Sequence, residues 1–329
     1  MDGHNAGLLA FAAAAAVVPF LLPNDYYLTV LIVSGLYTIL AVGLNLLMGY
    51  AGQASLGHAA FYGLSAYTTG ILTGTHGWPV WAGIAAGLAL STAVAYLIAV
   101  PTLKLRGNYL AMGTLGFGII VYIVFNEATE LTGGPSGLTG IPKLNVAGKV
   151  FSSDREYYYV VWGAAILLFL LAQNLVRSRM GRALRAIHTS ETAASVLGVD
   201  TQRYKIFVFV LSAFYAAVGG ALYAHYVTFV SPSTFSFGTS VLLVTMVVLG
   251  GMASLWGAVL GALFLTFLPE WLRAIENFDI LVYGAILIAC MMFLPGGLAE
   301  GAERLWGAAA SLLRRAGAAG RPAGGGSAG

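Results

Sequence analysis

The feature that most restricts this chain is a series of continuous apolar runs about 17 to 25 residues long, the length at which a helix crosses roughly 30 Å of hydrocarbon. The runs at 157–175 and 278–294 show it plainly. Strands of an outer-membrane barrel would alternate apolar and polar residues over about ten positions instead, and no such alternation runs through the sequence. A water-soluble core is excluded by composition: 59 % of the 329 residues are apolar and 9 % are charged. Lipid is therefore the main solvent, and helices satisfy their backbone hydrogen bonds there within a single segment. The expected fold class is an all-α integral membrane protein with about ten transmembrane or partly re-entrant helices.

Spans are predicted at 6–22, 27–48, 54–73, 78–102, 107–128, 157–175, 204–229 and, last, 278–294. The stretch 238–270 would measure about 50 Å as one helix, too long for one crossing without heavy tilt. Gly250-Gly251 interrupts it where helix propensity is poor, so two short elements are expected. Basic residues, which are enriched in short cytoplasmic loops, support that break. With it, Lys104, Arg106, Arg177, Arg179, Arg182, Arg185, Arg203, Lys205, Arg304, Arg314, Arg315 and Arg321 fall inside, and Lys143, Lys149, Arg155 and Arg273 outside. Without it, the four tail arginines move out and Arg273 moves in, leaving nine against seven. Both termini are thus predicted to be cytoplasmic. The first run lacks the basic residues and cleavage site of a secretory signal and is expected as a retained helix. Residues 1–298 are predicted to form the transmembrane domain, with an external loop at 129–156 and an internal loop at 176–203. The Ala-, Gly- and Arg-rich stretch 299–329 is expected as a largely disordered cytoplasmic tail.

The internal loop carries the clearest functional signal. From Gly181 it is rich in Ala, Leu and Arg, with Gly198 as a cap and Asp200-Thr201 capping the next span. A short helix parallel to the membrane, joined to spans on both sides, is placed to receive a push from a cytoplasmic partner; the alternative is a basic loop held at lipid headgroups. Within the membrane, Asn45, Gln53, Ser55 and His58 cluster at a glycine-rich turn. Two readings stay open for them: lining a water-filled route, or hydrogen bonding between helices that fixes packing. Tyr50-Ala51-Gly52 before Ala54-Ser55-Leu56 is echoed by Gly250-Gly251 before Ala253-Ser254-Leu255, as in transporters built from repeats with broken helices. Glu127, Glu130, Glu270 and Asp279 sit at outer span ends, as interfacial groups or as a docking surface.

Several chemistries are disfavoured. His58 has no second ligand at metal spacing, and the single Cys290 allows neither a disulfide framework nor a thiolate cluster within one chain, so no metal is expected. Gly113, Gly116 and Gly118 follow no strand and precede no Lys-Ser/Thr, so they form no phosphate cradle; close helix packing is expected of them, and ATP hydrolysis must come from another subunit. Catalytic residues are not expected: Ser55 and His58 are the only hint of a Ser–His pair. An ion-gradient-driven secondary transporter, the rival reading, would need intramembrane ion ligands, yet no Asp or Glu lies inside a span between 27 and 102.

Glu191-Thr192-Ala193-Ala194 with Gly198 resembles the Glu-Ala-Ala…Gly coupling loop of ATP-binding-cassette (ABC) importer permeases, with one extra residue after the Glu. Further blocks resemble the LivM-type permeases of branched-chain amino acid importers: Gly43-Leu44-Asn45-Leu46-Leu47-Met48-Gly49-Tyr50-Ala51-Gly52-Gln53-Ala54-Ser55-Leu56-Gly57-His58, Arg106-Gly107-Asn108-Tyr109-Leu110-Ala111-Met112, Leu131-Thr132-Gly133-Gly134-Pro135-Ser136-Gly137-Leu138, and Gly250-Gly251-Met252-Ala253-Ser254-Leu255-Trp256-Gly257. The resemblance runs in order from about 27 to 294. It implies the ABC importer permease fold, with ATPase coupling at Arg182, Arg185, Glu191, Ala193, Ala194 and Gly198. It also implies a second, LivH-type permease, two ATP-binding subunits that carry ATP and Mg, and an extracytoplasmic substrate-binding protein, in the bacterial inner membrane. No cofactor in this chain and no nucleic-acid partner are implied. Branched-chain amino acids are the implied substrates, with urea or short amides as the alternative within the family. The departure from a simple Glu-Ala-Ala and the long Ala/Gly tail have no counterpart in the family pattern.

Overall fold

A computed structural model describes residues 3–21, 25–105, 107–146, 149–272, 279–293 and 296–301. Its helices are α1 (Gly3–Leu21), α2 (Asp25–Asn45), α3 (His58–Gly70), α4 (Val80–Thr102), α5 (Asn108–Glu127), α6 (Thr129–Thr132), α7 (Asp154–Arg177), α8 (Arg179–Thr189), α9 (Glu191–Val196), α10 (Thr201–Val227), α11 (Phe237–Gly250), α12 (Leu255–Leu272) and α13 (Asp279–Phe293). Ten are apolar and 13 to 27 residues long, the exceptions being α6, α8 and α9. Six of the ten, counting α2 with a π-helical continuation to Tyr50, are long and apolar enough to cross a membrane. This is an all-α membrane protein.

Helix α2 is the axis. It is apolar on every face, the pattern of a helix surrounded by protein, and 83 % of its apolar window is buried against 22 % for α5. It packs on α7, α10, α11 and α12, while α3, α4 and α10 form a second packed group. Two polar ring tips inside the bundle are satisfied by helix carbonyls, which offer a second lone pair. Trp162 Nε1 donates to Leu31 O at 3.1 Å and Tyr215 OH to Leu168 O at 2.8 Å. Outward-facing residues of α4 and α5, such as Leu97, Tyr109 and Ile120, are exposed, as lipid-facing side chains are.

The loop between α5 and α7 is tied back onto the bundle. After α6 and a 3-10 turn at Gly134–Ser136 comes β1 (Leu138–Thr139), then a hairpin of β2 (Asn145–Val146) and β3 (Lys149–Val150), and β4 (Phe229–Val230) follows α10. β1 pairs antiparallel with β4, Leu138 opposite Val230. The His225 imidazole at the end of α10 lies 2.7 Å from Pro142 O.

The break expected at Gly250-Gly251 is present, since α11 ends at Gly250 and α12 begins at Leu255. The third span differs from expectation: it starts at His58 and not at Ala54, because residues 51–57 are unwound. Side chains of neighbouring helices hold that unwound backbone in a medium without water. Leu56 N–H donates to Thr114 Oγ1 of α5 and Ala59 N–H to Ser240 Oγ of α11. The 176–203 loop is two helices and not one, because Ser190 is extended and its side chain accepts from Ala193 N–H to start α9. Gly198 follows with φ +84°, and Asp200 caps α10 through Arg203 N–H. Of the glycines expected to pack closely, a Cβ at Gly118 would lie 3.4 Å from Gly57 Cα, whereas one at Gly116 would meet nothing within 4 Å. Expectations placed on Arg106, Arg273, the tail from 302 to 329 and the side chains of Asp279 and Cys290 lie outside the described residues.

Candidate functional site

Two helix breaks meet at one side chain. Helix α2 ends at Asn45 and continues as one π turn, Leu46–Tyr50, before the unwound segment; such turns recur at functional sites. The second break, between α11 and α12, contains Gly251 at φ 121° and Ala253 at φ 60°. Asn45 is completely buried. Its Nδ2 donates to Ser254 O at 2.6 Å and its Oδ1 accepts from Ala253 N–H at 3.1 Å. The carboxamide thus bonds the second break as another peptide unit would, holding an alanine in the left-handed region that non-glycine residues seldom occupy. This close approach requires glycine one turn further on: a Cβ at Gly49 would lie 2.0 Å from Asn45 Oδ1 and 2.3 Å from Ala253 N.

The four intramembrane polar residues therefore have different surroundings. Asn45 joins the breaks. Gln53 is half-buried and donates from Nε2 to Ala51 O at 3.0 Å, inside its own turn. Ser55 and His58 are buried, and neither Ser55 Oγ nor His58 Nε2 has a hydrogen-bond partner among the described residues. They do not bond to one another, so the spacing that suggests a Ser–His pair does not produce one. No three His, Cys, Asp or Glu side chains gather into a metal-holding group among the described residues.

The 176–203 loop is bound to the bundle at two points, the first of them at a break. Ser178 caps α8 by accepting Met180 N–H. Gly181, Leu184 and Ile187 turn inward while Arg182 and Arg185 stay exposed, the one-sided pattern of a helix lying on a bundle. At the end of α8, His188 packs on the first break: a Cβ at Gly52 would lie 2.9 Å from its Cδ2. The second point is an ion pair. Glu191 Oε1 lies 2.7 Å from Lys205 Nζ, whose side chain is only 4 % exposed. Lys205 Nζ also donates to Leu103 O at 3.3 Å, one of the end carbonyls that α4 leaves without an intrahelical partner. One ammonium thus holds α9, α10 and α4 together.

Sequence reasoning placed Glu191 in the loop but missed Lys205, which it counted only as a basic residue at the cytoplasmic face. A lysine in the first two turns of a span, followed by Ile206-Phe207-Val208, is the signal that could have marked it as buried. Of the other loop residues, Ala194 is buried and Ala193 exposed. Beside them Val196 and Leu197 stand 82 % and 81 % exposed, an apolar pair among mostly polar exposed side chains of the loop.

Comparison with known proteins agrees with this architecture. A family model described as the permease component of the branched-chain amino acid transport system matches residues 26–294. The high-affinity branched-chain amino acid transport system permease protein LivM of Escherichia coli (strain K12) is 34 % identical over 314 residues, covering 88 % of this chain and 74 % of the relative. LivH of the same organism is 26 % identical over 280 residues, covering 80 % and 90 %. BraD of Pseudomonas aeruginosa is 26 % identical over 303 residues, covering 84 % and 97 %. No solved structure matches the chain. The matched stretch takes in both breaks, the 176–203 loop and Lys205, and by that extent and the identity to LivM the chain belongs to the family of branched-chain amino acid transport system permease components.

Proposed function

We propose that this chain is the transmembrane permease subunit of an ATP-driven importer, forming with a second, LivH-type permease the route for branched-chain or related amino acids delivered by an extracytoplasmic binding protein. The observation that carries the coupling is that the loop is fastened both to the first break and to the ends of α4 and α10, while Asn45 joins the two breaks. His188 touches the first break at Gly52, Lys205 ties Glu191 to the end of α4, and Asn45 fastens the first break to the second. ATP and Mg belong to two partner ATP-binding subunits. Their closure displaces α8 and α9, and Arg182, Arg185, Glu191, Ala193, Ala194 and Gly198 form the coupling segment. Val196 and Leu197 present the apolar contact on which an ATP-binding subunit seats. Ser55 and His58 are then the groups whose bonding is completed by water or substrate in the open route, since an unpaired buried polar atom costs about 1–3 kcal/mol. The identity to LivM and LivH, whose names carry the branched-chain substrate, supports the choice of cargo. We place the protein in the bacterial inner membrane with both termini cytoplasmic, residues 1–298 as the permease domain and 299–329 as a cytoplasmic tail.

Affinity isolation of the tagged chain from detergent-solubilised membranes, with mass spectrometry of accompanying proteins, tests this. Recovery of a second permease and ATP-binding subunits is expected, with the latter lost when Glu191 and Arg185 are replaced by residues of opposite charge. A chain that purifies alone, or only with itself, contradicts the proposal.

A further inference from the structure

Tyr50 closes the π turn at the end of α2 and is 6 % exposed. Its side chain lines a cavity of about 340 Å3 together with Ala253, Ser254, Leu255 and Trp256, the residues through which the second break passes into α12. The N–H of Leu255 is directed at the Tyr50 phenol oxygen. That N–H stands in the first turn of α12, where the helix itself offers it no acceptor, and a membrane protein has to satisfy such a group from within.

On its other side Tyr50 meets the loop. Helix α8 packs on the π turn, and the Arg185 guanidinium lies within electrostatic reach of the same phenol. Arg185 and His188 are three residues apart and so share one side of α8. His188 meets Gly52, two residues beyond Tyr50, so this side of α8 follows the first break. A single phenol oxygen, able to accept two hydrogen bonds, thus faces a donor fixed to the second break and a cation fixed to α8. The cavity adds freedom of movement. Protein interiors hold few voids larger than a water molecule, and the one between Tyr50, Phe169, Gln173 and Val176 is far larger. The Tyr50 ring can therefore change position without displacing packed neighbours.

We propose that Tyr50 is a positioning residue for transport: its hydroxyl holds the start of α12 while α8 is docked, and displacement of α8 draws it off Leu255 and releases the second break. What moves α8 is taken from the transport reading; the line from Arg185 through Tyr50 to Leu255 goes beyond it. Asn45, bonded to Ala253 and Ser254, stays as the pivot.

Tyr50→Phe keeps the ring and removes the oxygen, and two measurements on the complex isolated through the full chain read its effect. Hydrogen exchange over 251–258, followed by mass spectrometry, is expected to quicken about fivefold, the weight of one hydrogen bond. In vesicles holding the complex and its binding protein, leucine taken up per ATP hydrolysed is expected to fall by a similar factor while hydrolysis continues, because the second break then moves independently of α8. A merely structural role would lower hydrolysis and uptake together. Unchanged exchange over 251–258 overturns the contact, and quickened exchange with an unchanged ratio of uptake to hydrolysis overturns the positioning role. Failure of the transport reading is told apart because it shows without any substitution, as leucine uptake by the unaltered complex that needs no ATP; the exchange measurement requires no transport and decides the Tyr50–Leu255 contact in either case.

Discussion

The Oδ1 of Asn45 accepts the backbone N–H of Ala253 at 3.1 Å across 208 residues of sequence, and the same carboxamide donates to Ser254. Two interruptions that would each weaken a membrane helix are thereby made into one joint. Removing the joint with Asn45→Ala leaves a buried N–H and a buried C=O facing a cavity, at a cost of about 1–3 kcal/mol. The low end is expected, because polar contacts between membrane helices average about 0.6 kcal/mol. Asn45→Asp keeps the acceptor for Ala253 but loses the donor and buries charge, so it is expected to fall below Asn45→Ala. Thermal unfolding of the three proteins in one detergent gives the order.

Glycine substitutions separate close approach from open surface. Gly49→Ala places a methyl 2.0 Å from Asn45 Oδ1, so it is expected to destabilise by about 1–3 kcal/mol through overpacking. Gly116→Ala has nothing within 4 Å of the new methyl, and Ala exceeds Gly in helix propensity by up to about 1 kcal/mol; it is expected to be neutral or stabilising. Unfolding midpoints of the two variants check the contrast, and equal losses would refute it.

The Glu191–Lys205 pair is testable by a double-mutant cycle with Glu191→Gln and Lys205→Met. Removing one partner of a fully buried pair costs about 3–5 kcal/mol, and Glu191 is 28 % exposed, so a smaller loss is expected for Glu191→Gln. Lys205→Met removes the buried charge and is expected to cost less than Glu191→Gln. The double variant should lose less stability than the sum of the two single losses. Additive losses in chemical unfolding would mean that the two residues are not coupled.

Val196→Asp with Leu197→Asp alters only exposed side chains, where substitutions stay within about 0.5 kcal/mol. An unchanged unfolding midpoint is expected together with loss of co-purifying ATP-binding subunits. Retention of those subunits would exclude this pair as the docking contact.

Much of the architecture was legible because lipid simplifies the rules. Run length gave the ten apolar helices, and Gly250-Gly251 together with the distribution of basic residues gave the break between α11 and α12. Helix ends were less legible. The unwound 51–57 segment depends on Thr114 and Ser240, side chains on helices far along the chain, and no local pattern at Ala54 reports them. The same limit applied to the site. Asn45, Ser55 and His58 stood out as polar residues in apolar surroundings, but that Asn45 binds the second break follows only from packing that brings α2 against α12. Lys205 was hidden by a rule that is usually sound, that lysine at a cytoplasmic span end is solvated. Its burial comes from α4 and α9 closing over it.

The most direct test of the central claim is uptake of labelled leucine, isoleucine and valine into vesicles reconstituted with the complex isolated through this chain and the matching binding protein. The transport reading expects accumulation that requires ATP inside or at the ATPase face, persists with a protonophore, and falls sharply with Lys205→Met. Accumulation without ATP that a protonophore abolishes would contradict it and make the chain an ion-driven carrier.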